Sequence, residues 1–125
     1  MFLMKKLLLF SLLLIALDQI TKLYFVKSIN YGAAFGILQG WKYLFVIVSI
    51  IVILVIFFYS NKVKKYGWFG LLLLFSGTVG NLIDRIAFGY VRDFIDLGFF
   101  PVFNFADAYN TIGVALFVMY AMKHL

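Results

Sequence analysis

The chain has 125 residues, of which 66% are hydrophobic, and its formal net charge at pH 7 is +6. This composition is too apolar for a soluble globular protein and is typical of a membrane protein. The basic residues flank apolar runs instead of forming one stripe, which argues against a nucleic-acid surface, and the absence of cysteine excludes disulfides and thiol chemistry.

Four apolar runs predict four transmembrane helices, at about 7–26, 43–59, 66–86 and 103–122. They leave little chain for a soluble domain, so we predict an all-α membrane protein with a single domain over residues 1–125. The first run follows a pair of lysines, as in a secretory signal, but no small-residue cleavage site comes after it. We therefore expect this run to be retained as the first span.

Two connections between the predicted helices lie on the same side of the membrane. Residues 27–42 contain three glycines and short apolar stretches, which predict turns and short strands. Residues 87–102 are unusually apolar for a connection, so we expect them to lie at the membrane interface. There the second connection could act as a lid over a site.

The distribution of charge orients the predicted helices. Six lysines and no acid collect on one side, whereas five basic residues and all five aspartates collect on the other. By the positive-inside rule the first side is cytoplasmic, which places both termini in the cytoplasm and the aspartates toward the outside. The first set is Lys5, Lys6, Lys62, Lys64, Lys65 and Lys123, and the second is Lys22, Lys27, Lys42, Arg85, Arg92, Asp18, Asp84, Asp93, Asp96 and Asp107.

Polar residues inside the first and third apolar runs mark one end of the bundle. Asp18 and Lys22 are four positions apart on the first helix, which predicts an ion pair that either fixes packing or faces a substrate. The third helix carries a stripe of small and polar residues that lets another helix approach closely. Interhelical hydrogen bonding alone would also explain that stripe, which consists of Gly77, Gly80, Asn81 and Asp84, with Arg85 beside it.

The fourth predicted helix begins with a polar stripe of Asn104, Asp107 and Thr111 at helical spacing. Asn104 is a candidate cap, whereas a start at residue 103 places Asp107 too deep to cap the helix. Carboxylates beside hydrocarbon are costly and usually mark a site. Asp93, in the apolar connection just before, is the second carboxylate that could converge on Asp107.

The missing residue types narrow the chemistry to carboxylates. His124 is the only histidine and lies at the cytoplasmic end, so no Ser-His triad or His/Cys metal site can be built. Ser28 and Lys27 are adjacent in sequence and poorly placed for a dyad. Two carboxylates that share one proton can hydrolyse an amide without metal, and we expect no metal and no cofactor.

Five segments of the chain closely resemble the motifs of the lipoprotein signal peptidase family, signal peptidase II, which are membrane aspartic proteases of bacteria. They occur in the family's order and at similar spacing. The segments are Asp18-Gln19-Ile20-Thr21-Lys22, Asn30-Tyr31-Gly32-Ala33-Ala34-Phe35-Gly36, Gly80-Asn81-Leu82-Ile83-Asp84-Arg85, Val91-Arg92-Asp93-Phe94-Ile95 and Phe103-Asn104-Phe105-Ala106-Asp107.

The resemblance implies an enzyme of the bacterial cytoplasmic membrane that removes the signal peptide from diacylglyceryl-modified prolipoproteins, cutting before the lipidated cysteine. It implies that Asp93 and Asp107 form the catalytic dyad and that residues 30–36 help to form an extracytoplasmic β-like cradle. The expected partners are the lipid-modified substrate and membrane lipids, with the enzyme as a monomer. Positions that match residues lining or supporting the site are Asp18, Lys22, Asn30, Gly32, Asn81, Arg85, Asn104 and Ala106.

Two departures from the family pattern and two other functions stay open. Ala108 stands where the family has Ser or Thr, and Asn110 stands where an apolar residue is expected.

A small four-helix proton-coupled transporter would also carry membrane carboxylates, although a transport acid is expected near the midplane. A non-catalytic assembly subunit could use the same polar residues only to join helices.

Overall fold

The computed structural model describes residues 2–33 and 37–125. These residues form α1 (Phe2–Phe25), β1 (Ser28–Asn30), α2 (Lys42–Tyr59), α3 (Lys65–Phe88), β2 (Val91–Asp93) and α4 (Phe105–His124). Each of the four segments predicted to span the membrane forms a helix. The main shifts are an earlier start of α1 and a later start of α4, because Asn104 is extended and caps α4 instead of belonging to it.

Three of the helices in the described part of the chain, α2, α3 and α4, are long and apolar enough to cross a membrane. In α2 only Ser49 and Ile56 are buried, so most of its apolar surface points away from the protein. Such exposed apolar surface is costly in water and suits contact with lipid. The fold is therefore that of a mostly helical membrane protein.

Helix α3 lies at the centre and contacts α1, α2 and α4. Its crossing with α4 is tight because both helices carry glycine there. A Cβ atom added to Gly70 would lie 2.9 Å from the carbonyl oxygen of Gly113, and one added to Gly113 would lie 2.6 Å from the amide nitrogen of Leu74. Small residues thus bring the two backbones into contact, although Gly70 and Gly113 lie outside the stripe predicted on α3.

Buried side chains along α3 change from apolar to polar. The first half buries Trp68, Leu71 and Phe75 against an apolar cluster, whereas the second half buries Asn81 and Asp84. An apolar core therefore holds one end of the bundle, and the polar groups collect at the other end. This arrangement places the candidate site where α3 ends and α4 begins.

A two-stranded antiparallel sheet lies at the polar end, where β1 pairs with β2 so that Ser28 faces Asp93. This agrees with the turns and short strands predicted for residues 27–42. The Ala34, Phe35 and Gly36 positions of the expected cradle lie outside the described residues. Beyond β2 the chain forms an apolar loop closed by a bridge between Ile95 and Phe103, and the side chain of Phe99 is 86% exposed.

Candidate active site

Asp93 and Asp107 are both 3% exposed and meet through Asn104. The side-chain nitrogen of Asn104 donates to Oδ1 of Asp93 at 2.9 Å. Its backbone nitrogen donates to Oδ2 of Asp107 at 3.2 Å, and its side-chain oxygen accepts from the Asp107 amide at 2.8 Å. The structure therefore brings together the two aspartates that the sequence singled out.

Asp107 occupies the first turn of α4, and the expectation that it lies too deep to cap was wrong. Because α4 begins at Phe105, Asp107 is the third residue of the helix and forms a reciprocal capping box with Asn104. Its carboxylate also faces the positive end of the helix dipole. Thr111, the third member of the predicted polar stripe, is exposed and donates to the backbone oxygen of Asp107 at 2.9 Å.

Asn81 on α3 holds the other side of Asp107. Its side-chain nitrogen donates to Oδ1 of Asp107 at 3.0 Å. Its side-chain oxygen accepts from Nζ of Lys22 and from the side-chain nitrogen of Asn104, each at 3.1 Å. One asparagine thus links α1, α3 and α4 around the carboxylate, which fixes its orientation.

Asp18 and Lys22 form the predicted ion pair at 2.7 Å, and both side chains are fully buried. Oδ1 of Asp18 accepts from the backbone N–H of Ala106 at 2.9 Å, so the pair also supports the start of α4. A Cβ atom on Gly80 would overlap Oδ2 of Asp18, which explains why glycine occupies that position. The pair therefore sets the position of α4 against α1 and α3.

Asp84 is the centre of a second buried network. Arg92 binds it with two side-chain nitrogens, at 2.9 Å and 3.2 Å, and donates its backbone N–H at 2.9 Å. Gln19 donates to Asp84 at 3.0 Å and accepts from Arg92 at 2.8 Å, while Nζ of Lys22 lies 3.4 Å from Asp84. These contacts attach strand β2, and with it Asp93, to α1 and α3.

Gln19 and Arg92 were not singled out from the sequence as supporting residues, although both lie within the quoted motifs. For Gln19, an uncharged polar group inside an apolar run was the available signal. For Arg92, the signal was strand alternation, because neighbouring residues in a strand point to opposite faces. Arg92 therefore faces Asp84 while Asp93 faces the site.

Asn30, Gly32 and Arg85 form the border of the site on the side of β1. The side-chain oxygen of Asn30 accepts from the Gly32 amide at 2.8 Å and from the side chain of Gln39 at 2.7 Å. Arg85 donates to the carbonyl oxygen of Gly32 at 3.2 Å, and its guanidinium lies over the ring of Phe45 at 5.1 Å. The connection after β1 is thereby fastened to α3.

The buried site holds one more negative charge than positive. Four carboxylates stand against three cations, so full ionisation would leave a net charge of −1 in a poorly hydrated region. One proton shared by the carboxylates makes the cluster neutral, which strongly favours a protonated member. The cluster consists of Asp18, Asp84, Asp93, Asp107, Lys22, Arg85 and Arg92.

Asp93 is one candidate carrier for that proton, because its pKa is raised. Burial, followed by the negative charge of Asp107, raises the pKa of Asp93 to about 7. Hydrogen bonds from Asn104 and Asn30 and the charge of Lys22 oppose the rise in pKa. In contrast, a hydrogen bond from Lys27 lowers the pKa of the exposed Asp96.

Two cavities reach the candidate site. One of about 170 Å³ is bordered by Asp93, Asn30 and Gln39. Another of about 250 Å³ lies between α2, α3 and α4 and ends at Asn81 and Arg85. The second cavity also includes Asn110, whose side-chain oxygen accepts from Thr78 at 3.5 Å. The unexpected asparagine at 110 therefore adds a polar group to the wall of this cavity.

Comparison with known proteins identifies the family. The family model described as signal peptidase (SPase) II matches residues 23–123. The chain is 47% identical over 93 residues to a lipoprotein signal peptidase of Halothermothrix orenii, which covers 73% of this chain and 64% of that relative. It is 41% identical over 128 residues to a lipoprotein signal peptidase of Streptococcus agalactiae, which covers 83% of each chain.

A solved structure has the same fold. A bacterial membrane enzyme determined by the in meso method at 2.3 Å resolution superposes with a TM-score of 0.84 and 32% sequence identity, over 95% of this chain and 88% of that one. A second bacterial membrane enzyme, determined at 1.9 Å resolution, gives a TM-score of 0.78 and 31% identity. With its polar cluster at one end of an apolar helical bundle, this chain belongs to the signal peptidase II family.

Proposed function

We propose that this protein is an aspartic endopeptidase that removes the signal peptide from diacylglyceryl-modified bacterial prolipoproteins by cleaving before the lipidated cysteine. The family membership supports the protease activity and the lipoprotein substrate. The observation that carries the aspartic mechanism is the link through Asn104 between two buried carboxylates, Asp93 and Asp107. These two residues are the proposed catalytic dyad.

In the proposed mechanism the two carboxyl groups share one proton. The ionised carboxylate takes a proton from a water molecule, whose oxygen attacks the peptide carbonyl carbon. The protonated carboxyl donates its proton to the carbonyl oxygen. The tetrahedral intermediate then collapses, the C–N bond breaks, and a proton from the dyad leaves with the amine. No covalent bond to the enzyme forms.

The remaining site residues have supporting roles in this proposal. Asn81 and Asn104 orient the two carboxyls, while Asp18 and Lys22 hold the start of α4 and keep the site close to neutral. Ala106 presents its amide to Asp18. The other proposed members of the site are Asn30, Gly32 and Arg85, which fasten the extracytoplasmic cradle to α3.

We further propose a single domain with four spans, in which α1 joins the three helices that are apolar enough to cross a membrane. Both termini would lie in the cytoplasm, and the dyad would face the extracytoplasmic side of the bacterial cytoplasmic membrane. The separation of lysine-rich and aspartate-rich ends supports this orientation. We propose that the enzyme works as a monomer, since both proposed catalytic residues belong to one chain.

Substrate would enter from the lipid through the opening between α2, α3 and α4. That cavity ends at Asn81 and Arg85, beside the proposed dyad. The apolar loop after β2 exposes Leu97, Phe99 and Phe100, which suits a position in the membrane interface. There it would act as a lid that excludes water from the dyad while the bond is cut.

Cleavage of a diacylglyceryl-modified prolipoprotein by the purified protein in detergent tests the proposal. Asp93→Asn and Asp107→Asn should each lower kcat/KM by about 10³-fold or more, because each removes one proton-transfer group. Asp96→Asn is the matched control, since Asp96 lies in the same loop region but forms an exposed pair with Lys27. An inert parent protein, or near-full activity in either dyad variant, would overturn the assignment.

The alternatives lose support from the same geometry. The buried carboxylates cluster at one end of the bundle, whereas a proton-coupled transporter is expected to place its acid near the membrane midplane. A non-catalytic assembly subunit would keep its cellular role in the Asp93→Asn and Asp107→Asn variants. A complementation assay with these two variants therefore separates that reading from a protease.

A further inference from the structure

A second concave surface lies at the opposite end of the bundle from the dyad. It is a groove of about 530 Å³ between the beginning of α1 and the beginning of α3. Its size falls within the range of binding sites for small ligands. The groove is lined by Leu3, Lys6, Phe10, Leu13, Leu14, Lys64, Lys65, Trp68, Phe69 and Leu72.

The walls of this groove are apolar along most of its length. From Leu3 to Leu14 the wall formed by α1 extends over about 16 Å at the rise of an α-helix. The indole N–H of Trp68 donates to the carbonyl oxygen of Leu3 at 3.3 Å, so the protein satisfies the polar atom of the ring. Trp68 and Leu72 are only 8% and 7% exposed, so most of the open apolar lining comes from residues such as Leu13 and Phe69, which suits a hydrocarbon chain.

Positive charge also lines the groove. Lys6, Lys64 and Lys65 line it and are exposed, and no acidic residue is among the lining residues. Every aspartate of the chain belongs to the other end, and the salt bridges of the described residues are all there. The three lysines therefore line one groove without a counter-charge from an aspartate, and Nζ of Lys6 lies over the ring of Phe2 at 4.5 Å.

We propose that this groove binds one anionic glycerophospholipid. An acyl chain would lie between α1 and α3 against Trp68 and Leu72, and the headgroup phosphate would lie among Lys6, Lys64 and Lys65. Three cations beside an apolar groove match a molecule with one anionic end and one hydrocarbon end. An apolar helix of another protein would fill the groove but leave the three lysines unpaired, and a zwitterionic headgroup would bring its own cation to them.

Trp68 itself reports on occupancy. In a Trp41→Phe background Trp68 is the only tryptophan, because the chain has two. The full-length protein in detergent micelles is titrated with phosphatidylglycerol or phosphatidylcholine carrying the same brominated acyl chains, which quench indole fluorescence on contact. We expect half-maximal quenching at a phosphatidylglycerol concentration at least about tenfold lower than for phosphatidylcholine, and the difference should shrink at 0.5 M salt.

A matched pair of triple variants separates local from overall charge. Lys6→Gln, Lys64→Gln and Lys65→Gln together should abolish the preference for the anionic lipid. Lys5→Gln, Lys62→Gln and Lys123→Gln together remove the same charge from the same end outside the groove and should leave the preference intact. Helical circular dichroism confirms that both triple variants are folded.

Three results would overturn the lipid site. Equal quenching by the two headgroups would mean ordinary contact with surrounding lipid, and a preference lost equally in both triple variants would mean a general charge effect. Quenching that decreases with protein concentration while dimers appear would assign the groove to a second copy of the chain. None of these readouts depends on peptidase activity, so the outcome is independent of the proposed dyad.

Discussion

The side-chain nitrogen of Asn104 lies 2.9 Å from Oδ1 of Asp93, across the gap between the start of α4 and strand β2. The side-chain oxygen of the same residue caps α4 by accepting from the amide of Asp107. One side chain thus stabilises a helix with its oxygen and joins the proposed catalytic groups with its nitrogen. These two roles can be separated by substitution.

Asn104→Ala should lower both stability and activity, whereas Asn104→Ser should lower activity alone. Serine keeps an oxygen that caps the helix, so only the alanine variant should lose about 1 kcal/mol of unfolding free energy. Both lack the nitrogen that donates to Asp93, and kcat/KM should fall at least about tenfold in each. Thermal unfolding in detergent and prolipoprotein cleavage measure the two effects. Full activity of the serine variant would refute the bridging role.

Activity should fall as the pH rises through about 7. The pKa of Asp93 is raised to about 7 by burial and by the charge of Asp107, so above that pH the dyad loses the proton that it must donate. In Asn104→Ser, the loss of a hydrogen bond that lowers the pKa of Asp93 should shift this alkaline limb to higher pH. The measurement is kcat/KM from pH 5 to 10, with detergent and substrate held constant. A flat profile across this range would contradict a titrating Asp93.

Asp93→Asn should raise the stability of the protein at alkaline pH. The folded pKa of about 7 lies above the ordinary value of 3.8, so between these pH values the folded protein holds a proton that the unfolded chain has released. The unfolding free energy of the parent therefore decreases as the pH rises from about 4 through about 7. Asparagine does not ionise, so at pH 8 the unfolding free energy of the variant should exceed that of the parent by on the order of 1–3 kcal/mol.

The thermal midpoint of Asp93→Asn should exceed that of the parent by more at pH 8 than at pH 5. Asp96→Asn is the control, because Asp96 is exposed and Lys27 lowers its pKa, so that substitution gives no such gain. An Asp93→Asn midpoint below that of the parent at both pH values would show that the ionised carboxylate is stabilising and that folding does not raise the pKa of Asp93.

Arg92→Lys should impair the enzyme although it keeps the charge. The guanidinium of Arg92 contacts both oxygens of Asp84 and the side chain of Gln19, a geometry that a single ammonium group does not reproduce. Because Arg92 precedes Asp93 in β2, we expect the carboxyl of Asp93 to lose its fixed position and kcat to fall about tenfold or more. KM should change less, because Arg92 acts through the position of a proposed catalytic group.

The control for this change is Lys27→Arg, which alters a cation in an exposed pair at the same end of the bundle. Exposed pairs contribute little to stability, so that variant should resemble the parent. If Arg92→Lys also behaves like the parent, charge alone supports Asp84, and the two-point contact is unnecessary.

The helices and the polar end were predictable because hydrophobic periodicity and charge asymmetry are local properties of the sequence. Asp18 and Lys22 illustrate this, since four positions along a helix bring two side chains together whatever the rest of the fold does. The same helical periodicity predicted that small and polar residues of α3 share one face. The stripe of Gly77, Gly80, Asn81 and Asp84 is buried throughout, as expected.

The parts that were not predictable depend on chain ends and on tertiary partners. The role of Asp107 depends on a shift of two residues in the start of α4, which the extended conformation of Asn104 determines. The contacts of Gln19 with Asp84 and Arg92 join residues that are 65 and 73 positions apart. No local sequence pattern spans such separations along the chain, so only the packed structure reveals that network.

The pairing of Asp18 with Lys22 inside α1 also bears on the biogenesis of the enzyme. As the proposed first span, α1 is synthesised before its partners, and its two charges compensate each other within one helix before α3 exists to accept them. The next partner of Asp18, the amide of Ala106, follows 88 residues later. In the proposed enzyme a nascent chain therefore holds no complete dyad, and proteolysis begins only after the last helix has docked.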